Sequence, residues 1–414
     1  MRILILSDDF PPISFGGAGI AAYRLTNELQ ARGHEVEVFS TVQSKALAGQ
    51  SDYGGLLTHF YYCNYKHCLS GWVSLYNPQI LRSLEYKIKT FQPDVVHAHN
   101  IHYYISYGAL RLAKKYCNRV FLTAHDTNIF YPDKFNEYID RSNLAIPTTV
   151  NYKLTPILKL KVIKKTFNPF RLLIIKYYLK SANKIFAVSD KLTQALEQNS
   201  ITNVETIYNG VPLNDNFNNI DAKNNFRDKF NIPQDKKIIL MAGRFNTFKG
   251  ARLILPYISE LAKHRHDFLF VFAGQKNNLT KEITKQAEEL GLSQYLLFSD
   301  WIESEMMESA YEACDVIVTP SVYLDVFNLT NIEAMKHKKP VVGTCFGGTS
   351  EIVVDGVTGY IVNPYDIKKT AERIVELLNN REKRINFGMA GYNRVLEKFS
   401  LDYLIDKTVI YYKK

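Results

Sequence analysis

Two carboxylates stand eight residues apart in the segment PSVYLDVFNLTNIEAMKHKKPVVG, residues 320–343. Asp325 lies in a predicted loop, and Glu333 lies near the start of the helix predicted to follow it. Carboxylates at such a position can bind ligand hydroxyl groups, beside backbone N–H groups and a helix dipole that attract anions. Thr330 and Glu333 also fit the spacing of a capping box, so the alternative is that Glu333 only caps the helix.

Two cations follow another predicted strand, in the stretch MAGRFNTFKG, residues 241–250. Arg244 falls in the loop, and Lys249 falls at the entrance of the next predicted helix. An arginine binds two phosphate oxygens at once, and a lysine acts as a compact point charge. Together they indicate a diphosphate ligand; the alternative is that both side chains are only solvated.

A glycine-containing loop follows the first predicted strand. The stretch GAGIAA, residues 17–22, fits the dinucleotide-binding pattern GxGxxA. The long loop before it and the absence of an acidic residue after the second strand, EVEVFST, count against a nicotinamide-dependent oxidoreductase. Gly16 and Gly17 instead allow a backbone to approach a phosphate or a substrate closely, or they merely ease entry into the helix.

Histidines occupy two further strand ends in the first half of the chain. The stretch TAHD places His125 directly after an apolar strand, and HAHN does the same for His97 and His99. Lone histidines are more often structural than catalytic, so chemistry alone singles out neither His97 nor His99.

These candidates require a framework that presents the ends of strands. Continuous apolar strands alternate with helical stretches in both halves of the chain, which is typical of parallel sheets covered on both faces. The Asn- and Asp-rich stretch 209–226 has the composition of a linker. The sequence therefore predicts two doubly wound α/β domains with a cleft between them and ligand-binding loops after the strands.

Length and composition are those of a folded globular protein. The chain has 414 residues, of which 46% are hydrophobic and 22% charged. Its five cysteines lack metal-ligand or CxxC spacing, which predicts free thiols in a reducing compartment. The N-terminus resembles a first strand rather than a signal peptide, and no apolar run reaches about 18 residues. We therefore expect a cytoplasmic protein, either soluble or peripheral on the inner face of the cell membrane.

The net charge of +10 comes from one segment. Residues 141–189 contain no Asp or Glu, so their ten basic residues leave 41 basic against 41 acidic residues elsewhere. Interleaved Leu, Ile, Phe and Tyr make the segment a candidate for contact with an anionic membrane surface; the alternative is a solvated face. No recognition motif accompanies the charge, so a nucleic-acid partner is not expected. The basic residues are Arg141, Lys153, Lys159, Lys161, Lys164, Lys165, Arg171, Lys176, Lys180 and Lys184.

Six parts of the sequence, taken in order along the chain, resemble the retaining glycosyltransferases of family 4, the group 1 enzymes with the GT-B fold. They are PPISFGGAG, TAHD, NGV, GRFNTFKG, the region of the two carboxylates and GGTSEIVVDGVTGYIV. The resemblance implies two Rossmann-like, doubly wound parallel-sheet domains facing a cleft. Residues 1–205 would form the acceptor-side domain, joined by a helix over 397–414 that crosses back, and residues 206–396 the donor-side domain. It also implies a retaining hexosyltransferase without a metal or other cofactor.

The resemblance assigns the donor nucleotide to specific residues. Arg244 and Lys249 would bind the diphosphate and act in catalysis, and Glu333 would hold the ribose hydroxyls. Gly16 and Gly17 would close over the phosphates or approach the acceptor. The donor is a nucleoside diphosphate sugar, with a UDP-sugar favoured over a GDP-sugar, and the acceptor is a carbohydrate or a lipid-linked molecule.

The transferred sugar would meet a second group of residues. His125 would lie near the reaction centre, and Asp325 would face the sugar together with the backbone of Phe327, Asn328 and Leu329. The chain departs from the family at Asp325, where Glu is usual, and at Asn328, where Gly is common. These departures leave open a protein that binds a nucleotide sugar without catalysis, and a sugar-nucleotide epimerase of similar fold is a further alternative.

Overall fold

The fold is described from a computed structural model, which covers residues 1–213 and 220–414. Residues 214–219 of the predicted linker therefore lie outside the described residues. The described chain divides into two compact units. Unit 1 comprises Met1–Asp133, Asn151–Pro212 and Leu401–Lys414, and unit 2 comprises Lys134–Val150 and Leu213–Ser400.

Unit 1 contains a sheet whose strands run in the order β3-β4-β2-β1-β5-β6-β7-β8. All neighbouring strands pair in parallel except β3 and β4, which form an antiparallel hairpin. Gly54 and Gly55 connect that hairpin with positive φ angles of 62° and 79°, which a two-residue hairpin turn requires and glycine adopts readily. The strands are β1 (Arg2–Ser7), β2 (Glu35–Val42), β3 (Gly49–Tyr53), β4 (Leu56–Tyr62), β5 (Val95–Ala98), β6 (Arg119–Ala124), β7 (Lys184–Ala187) and β8 (Val204–Thr206).

The helices of unit 1 include one from the end of the chain. Leu404, Ile405 and Tyr412 of this last helix, α16, belong to the same hydrophobic core as Ile3 and Ile5 of β1. The helices are α1 (Gly17–Ala31), α2 (Ser70–Val73), α3 (Pro78–Phe91), α4 (Gly108–Tyr116), α5 (Pro156–Thr166), α6 (Arg171–Leu179), α7 (Asp190–Gln198) and α16 (Leu401–Lys413), with 3-10 turns at Lys45–Leu47 and His67–Leu69.

Unit 2 contains an all-parallel sheet in the order β11-β10-β9-β12-β13-β14 within the described residues. Its strands are mainly apolar and mostly buried, except for the partly buried edge strand β11, as expected for a sheet with helices on both faces. The strands are β9 (Lys237–Ala242), β10 (Phe268–Ala273), β11 (Leu296–Phe298), β12 (Val316–Thr319), β13 (Val341–Thr344) and β14 (Gly359–Val362).

The helices of unit 2 alternate with these strands, which is the pattern of a doubly wound fold. The prediction of two doubly wound parallel-sheet units is therefore confirmed. The helices are α8 (Ile220–Lys229), α9 (Ile254–Ala262), α10 (Asn278–Glu289), α11 (Ser304–Ala313), α12 (Leu329–Lys336), α13 (Thr349–Ile352), α14 (Ile367–Asn379) and α15 (Arg381–Lys398), with 3-10 turns at Thr247–Lys249, Ala251–Leu253 and Ser293–Tyr295.

The division of the chain differs from the predicted one in three segments: residues 206–212 lie in unit 1, residues 397–400 lie in unit 2, and the largest difference is an internal segment. Residues 134–150, which the sequence suggested to belong with the first domain, lie in unit 2. The backbone of Phe135 accepts a hydrogen bond from Leu324 N–H at 2.7 Å, and Asn363 donates to the carbonyl oxygens of Asn143 and Ala145. These contacts join stretches more than 180 residues apart, so no local pattern predicts them.

Candidate functional site

The sheet of unit 2 has a topological switch point between β9 and β12. The chain places β10 and β11 on one side of β9, and β12 to β14 on the other. In doubly wound sheets, ligands bind outside the carboxyl ends of the strands at such a point, because the connecting helices leave in opposite directions there. The loop after β9 carries the two predicted cations. The loop after β12 carries the carboxylate of Asp325, and the helix that follows, α12, carries that of Glu333.

One cation of the loop after β9 forms an ion pair with a carboxylate of the loop after β12. Lys249 Nζ lies 2.7 Å from Asp325 Oδ2. The side chain of Asn246 accepts a hydrogen bond from Lys249 N–H at 3.0 Å and so begins the 3-10 turn that positions the lysine. Arg244 lies in the same loop and is exposed. The structure therefore pairs Lys249 with Asp325 and leaves Arg244 accessible to an anionic ligand.

Asp325 is a buried, charged group. Its exposed fraction is 4%, and Oδ2 also accepts a hydrogen bond from Ser321 Oγ at 2.7 Å. Burial alone would raise the pKa of Asp325, but the charge of Lys249 and these hydrogen bonds outweigh burial and lower the pKa below its ordinary value. Asp325 is therefore ionised at neutral pH and can accept hydrogen bonds from a sugar hydroxyl.

The loop after β13 supports the backbone of Asp325. Gly348 N–H donates to the carbonyl oxygen of Asp325 at 2.9 Å. Gly347 has a φ of 84°, and a Cβ there would lie 2.3 Å from the same carbonyl oxygen. Only glycine fits this position without moving the Asp325 loop, so the stretch FGGTS has a packing role in the site.

The helix α12 begins with Asn328. Its side chain accepts a hydrogen bond from Thr330 N–H at 3.2 Å, so Asn328 is the N-cap. The alternative that Thr330 and Glu333 form a capping box is therefore wrong, because the helix begins two residues earlier than that spacing requires. Asn328 has a φ of −85°, so the position where glycine is common in the family accepts Asn without backbone strain.

Glu333 lies one turn into α12 and faces the neighbouring helix α11. Its Oε2 accepts a hydrogen bond from Tyr311 Oη at 2.9 Å. Burial and the charge of Glu333 raise the pKa of Tyr311 well above its ordinary value, so the phenol remains a donor. Tyr311 thus orients the carboxylate that the family resemblance assigned to the ribose, and no local sequence pattern pointed to this partner 22 residues away.

Segment 134–150 adds residues that the sequence analysis missed. Phe135 is 1% exposed, and its carbonyl fixes the backbone next to Asp325 through Leu324. Lys134 Nζ lies 5.3 Å from the ring centre of Tyr323, and its charge helps to lower the pKa of Asp325. A second lysine therefore influences the carboxylate at the switch point.

The predicted histidine of unit 1 belongs to a buried cluster at the ends of β5 and β6. His125 Nε2 lies 2.9 Å from His99 Nδ1, and the rings of His99 and His97 lie 4.5 Å apart. His97 in turn contacts Tyr412 Oη at 2.5 Å and Thr123 Oγ1 at 2.7 Å. Burial lowers the pKa of His125 to about 4 and that of His97 to about 3. Both imidazoles are therefore neutral at pH 7.

The glycine loop of unit 1 follows β1, at the switch point of the first sheet, where β1 lies between β2 and β5. Gly16 is the N-cap residue of α1, and Gly17 is its first residue. Asp8 opens the loop; it accepts hydrogen bonds from the backbone N–H groups of Tyr103, Tyr104 and Ile105. The loop that carries Gly16 and Gly17 is thus held at its start by a buried carboxylate.

The basic segment 141–189 is not the single element that its composition suggested. Its first ten residues lie in unit 2, and the lysine-rich remainder forms α5 and α6 of unit 1. The two helices expose several large apolar side chains: Ile157, Leu160, Leu173 and Tyr177, with Phe167 and Phe170 between the helices. Among the described helices, none combines the length and apolar character needed to cross a membrane.

Two family models match consecutive parts of the chain. The model described as Glycosyltransferase Family 4 matches residues 15–215, and the model described as Glycosyl transferases group 1 matches residues 222–394. An uncharacterized glycosyltransferase from Methanocaldococcus jannaschii is 30% identical over 215 residues, 51% of this chain and 54% of that protein. Matches to the first curated relatives span about half to two thirds of their lengths.

Solved structures share the architecture at low identity. A sucrose-phosphate synthase from Thermosynechococcus elongatus has a TM-score of 0.78 at 20% identity, covering 100% of this chain and 98% of that one. Anabaena HepE in complex with UDP-glucose has a TM-score of 0.70 at 16% identity, covering 99% and 98%. These likenesses confirm the GT-B fold class, and with the two family matches they show that the chain belongs to the group 1, family 4 glycosyltransferases.

Proposed function

We propose that the protein transfers a hexose from a nucleoside diphosphate sugar to a carbohydrate or lipid-linked acceptor, with retention of the anomeric configuration. The observation that carries the proposal is the Lys249–Asp325 pair at the switch point of the second sheet, where the loop after β9 also carries Arg244 and the loop after β12 leads into the helix of Glu333. A cation for the diphosphate and carboxylates for hydroxyl groups are the chemistry that a nucleotide sugar requires. UDP is the favoured nucleotide, in line with the UDP-glucose bound to the structurally similar HepE.

The chemical step requires stabilisation of a leaving nucleoside diphosphate. Arg244 and Lys249 offset the negative charge that develops on the diphosphate, and the positive end of the α12 dipole adds to this stabilisation. These cations supply the charge that a metal supplies elsewhere, so we propose a metal-independent reaction. Asp325 orients the sugar, and Glu333, held by Tyr311, binds the ribose.

His125 of unit 1 is proposed to contact the transferred sugar. Its neutral imidazole can donate a hydrogen bond to a sugar hydroxyl or accept one, and Gly16 with Gly17 lets the loop after β1 approach the phosphates or the acceptor. No residue is assigned as a covalent nucleophile.

The acceptor is proposed to lie at an anionic membrane surface. Helices α5 and α6 carry lysines and exposed apolar side chains but no acidic residue. Each basic residue near an anionic surface contributes roughly 1 kcal/mol, so five would suffice for salt-sensitive peripheral binding. This surface would bring the protein to lipid-linked acceptors.

The experiment is a donor panel with product analysis. The purified protein is incubated with UDP-, GDP- and ADP-sugars, with and without lipid extract as acceptor, and NMR reports the anomeric proton of any released or transferred sugar. The proposal predicts cleavage of one donor with the product in the donor's anomeric configuration.

Other outcomes of the panel would identify the alternatives. An isomerised nucleotide sugar would indicate an epimerase, and tight binding without turnover in the presence of lipid extract would indicate a non-catalytic binding protein. An inverted anomeric configuration would contradict the retaining mechanism alone.

A further inference from the structure

A groove of about 270 Å³ lies in unit 1 between helices α5 and α6 and the end of α7. Four basic residues line it, namely Lys153, Lys159, Arg171 and Lys176, and no acidic residue does so. The groove is separate from the loops after β9, β12 and β13, which all belong to unit 2. None of the proposed roles in sugar transfer uses it.

Arg171 is a buried cation that forms no salt bridge among the described residues, although the more distant charge of Asp126 acts on it. Its exposed fraction is 3%, and its guanidinium donates to Ser74 Oγ at 2.7 Å and to Asn128 O at 3.4 Å, both uncharged acceptors. Within the described residues no carboxylate lies within 4.0 Å of it. Arginine stays protonated at neutral pH, and a buried charge that is only weakly compensated is destabilising. An anion in the groove would compensate this charge.

The lysines that line the groove also have no acidic residue beside them in its lining. Burial and the like charge of Lys159 lower the pKa of Lys176. The two lysines come from different helices, Lys159 from α5 and Lys176 from α6, and line the same groove. An anion between the helices would convert their mutual repulsion into attraction.

The remaining walls of the groove are largely apolar. Val162, Ile163, Leu172 and Leu173 line it beside the cations. Leu173 is 66% exposed and Phe167, at the end of α5, is 71% exposed, so apolar surface continues from the groove to the outside. Free phosphate would satisfy the cations but would leave these apolar walls in contact with water.

We propose that the groove between α5 and α6 binds one anionic phospholipid, with its phosphate at Arg171, Lys159 and Lys176 and part of an acyl chain along the apolar walls. This inference rests on the proposed membrane contact and deepens it, because it replaces a diffuse electrostatic surface with a defined lipid site. The charge complementarity of the groove and the apolar surface at its mouth select a lipid over a soluble phosphate.

The test uses the full-length protein and a soluble short-chain lipid. Dihexanoyl-phosphatidylglycerol is titrated below its micelle concentration, and isothermal calorimetry measures affinity and stoichiometry. Glycerol phosphate and dihexanoyl-phosphatidylcholine are titrated in parallel. We expect saturable one-to-one binding of phosphatidylglycerol, at least tenfold tighter than that of either comparison compound.

Matched variants distinguish binding in the groove from nonspecific attraction of the lipid to the basic surface. Lys159→Gln with Lys176→Gln should weaken phosphatidylglycerol binding at least tenfold. Lys161→Gln with Lys164→Gln removes the same charge from exposed positions of α5 outside the groove and should change binding less than twofold. Circular dichroism and thermal unfolding check that both variants fold.

Three outcomes would overturn the inference. Equal weakening by both lysine pairs would mean diffuse electrostatics, equal affinity for glycerol phosphate would mean a soluble phosphate site, and absence of saturable lipid binding would mean no site. Lipid binding without sugar transfer would contradict the proposed function and leave the groove assignment intact.

Discussion

At the scale of single residues, the Lys249–Asp325 pair links ligand binding to the stability of unit 2. Lys249→Met should weaken UDP binding by about 1.5–3 kcal/mol, the value of a charge-assisted hydrogen bond. It should also destabilise the unit by about 1–3 kcal/mol, less than for a fully buried pair, because the lysine side chain is 25% exposed.

A double-mutant cycle checks this interpretation. Adding Asp325→Asn removes the unpaired carboxylate, so thermal stability should recover while calorimetry still shows weak UDP binding. Arg244→Gln should weaken UDP binding without a stability change, because Arg244 is exposed. Wild-type affinity in both cation variants would rule out this loop as the diphosphate site.

Glu333 offers a second test at the residue scale. Glu333→Gln should lower UDP-sugar affinity by about 1–3 kcal/mol, because a charged acceptor for the ribose hydroxyls is lost. Tyr311→Phe should produce a smaller loss, since the carboxylate remains but loses its orientation. Stability should hold in Glu333→Gln because Asn328, not Glu333, caps α12. Unchanged affinity and turnover in Glu333→Gln would exclude the ribose role.

At the scale of elements, segment 134–150 should act as part of the donor-side unit. Phe135→Ala should destabilise unit 2 by about 3–5 kcal/mol, as for other buried Phe-to-Ala changes. It should also weaken UDP-sugar binding, because the carbonyl of Phe135 holds the backbone beside Asp325. Leu144→Ala is the control on the same segment, since Leu144 is 48% exposed. Thermal unfolding and calorimetry that show equal effects of both variants would contradict this role.

The contact between β5 and α16 should give a pH dependence. A histidine whose pKa is lower in the folded than in the unfolded state stabilises the fold fully above pH 6.5, its pKa in the unfolded chain. This stabilisation is lost as the pH falls toward the pKa of the folded state. His97, with a folded pKa of about 3, should therefore keep its neutral NMR chemical shift at pH 5. His97→Gln identifies the resonance, and titration of His97 near pH 6.5 would contradict its burial.

Helices and strands were predictable where a local sequence pattern determines them. The apolar runs KIILMA and FLFVFA are strands because buried parallel strands need no polar face, and polar residues after them mark the carboxyl ends. The hairpin at Gly54–Gly55 was missed although its YGGL sequence carries the turn signal. The Tyr311–Glu333 bond and the place of segment 134–150 depend on tertiary contacts, which sequence periodicity does not encode.

At the scale of the whole molecule, the chain consists of two doubly wound units, and each places functional residue types after the ends of its strands. Unit 1 places glycines and a histidine there, and unit 2 places cations and carboxylates. The Lys249–Asp325 contact joins loops 76 residues apart in sequence, yet the order of the sheet makes their meeting predictable, because β9 and β12 are neighbours. The family match accounts for the same two halves.

The central claim is that the loops after β9, β12 and β13 bind the nucleotide sugar. Hydrogen–deuterium exchange of the full-length protein, with and without a saturating UDP-sugar, tests it most directly because no variant is required. The account predicts slower exchange in residues 243–250, 320–330 and 345–349 when the donor is bound. Saturating donor that leaves all three stretches unchanged, while slowing exchange elsewhere, would contradict it.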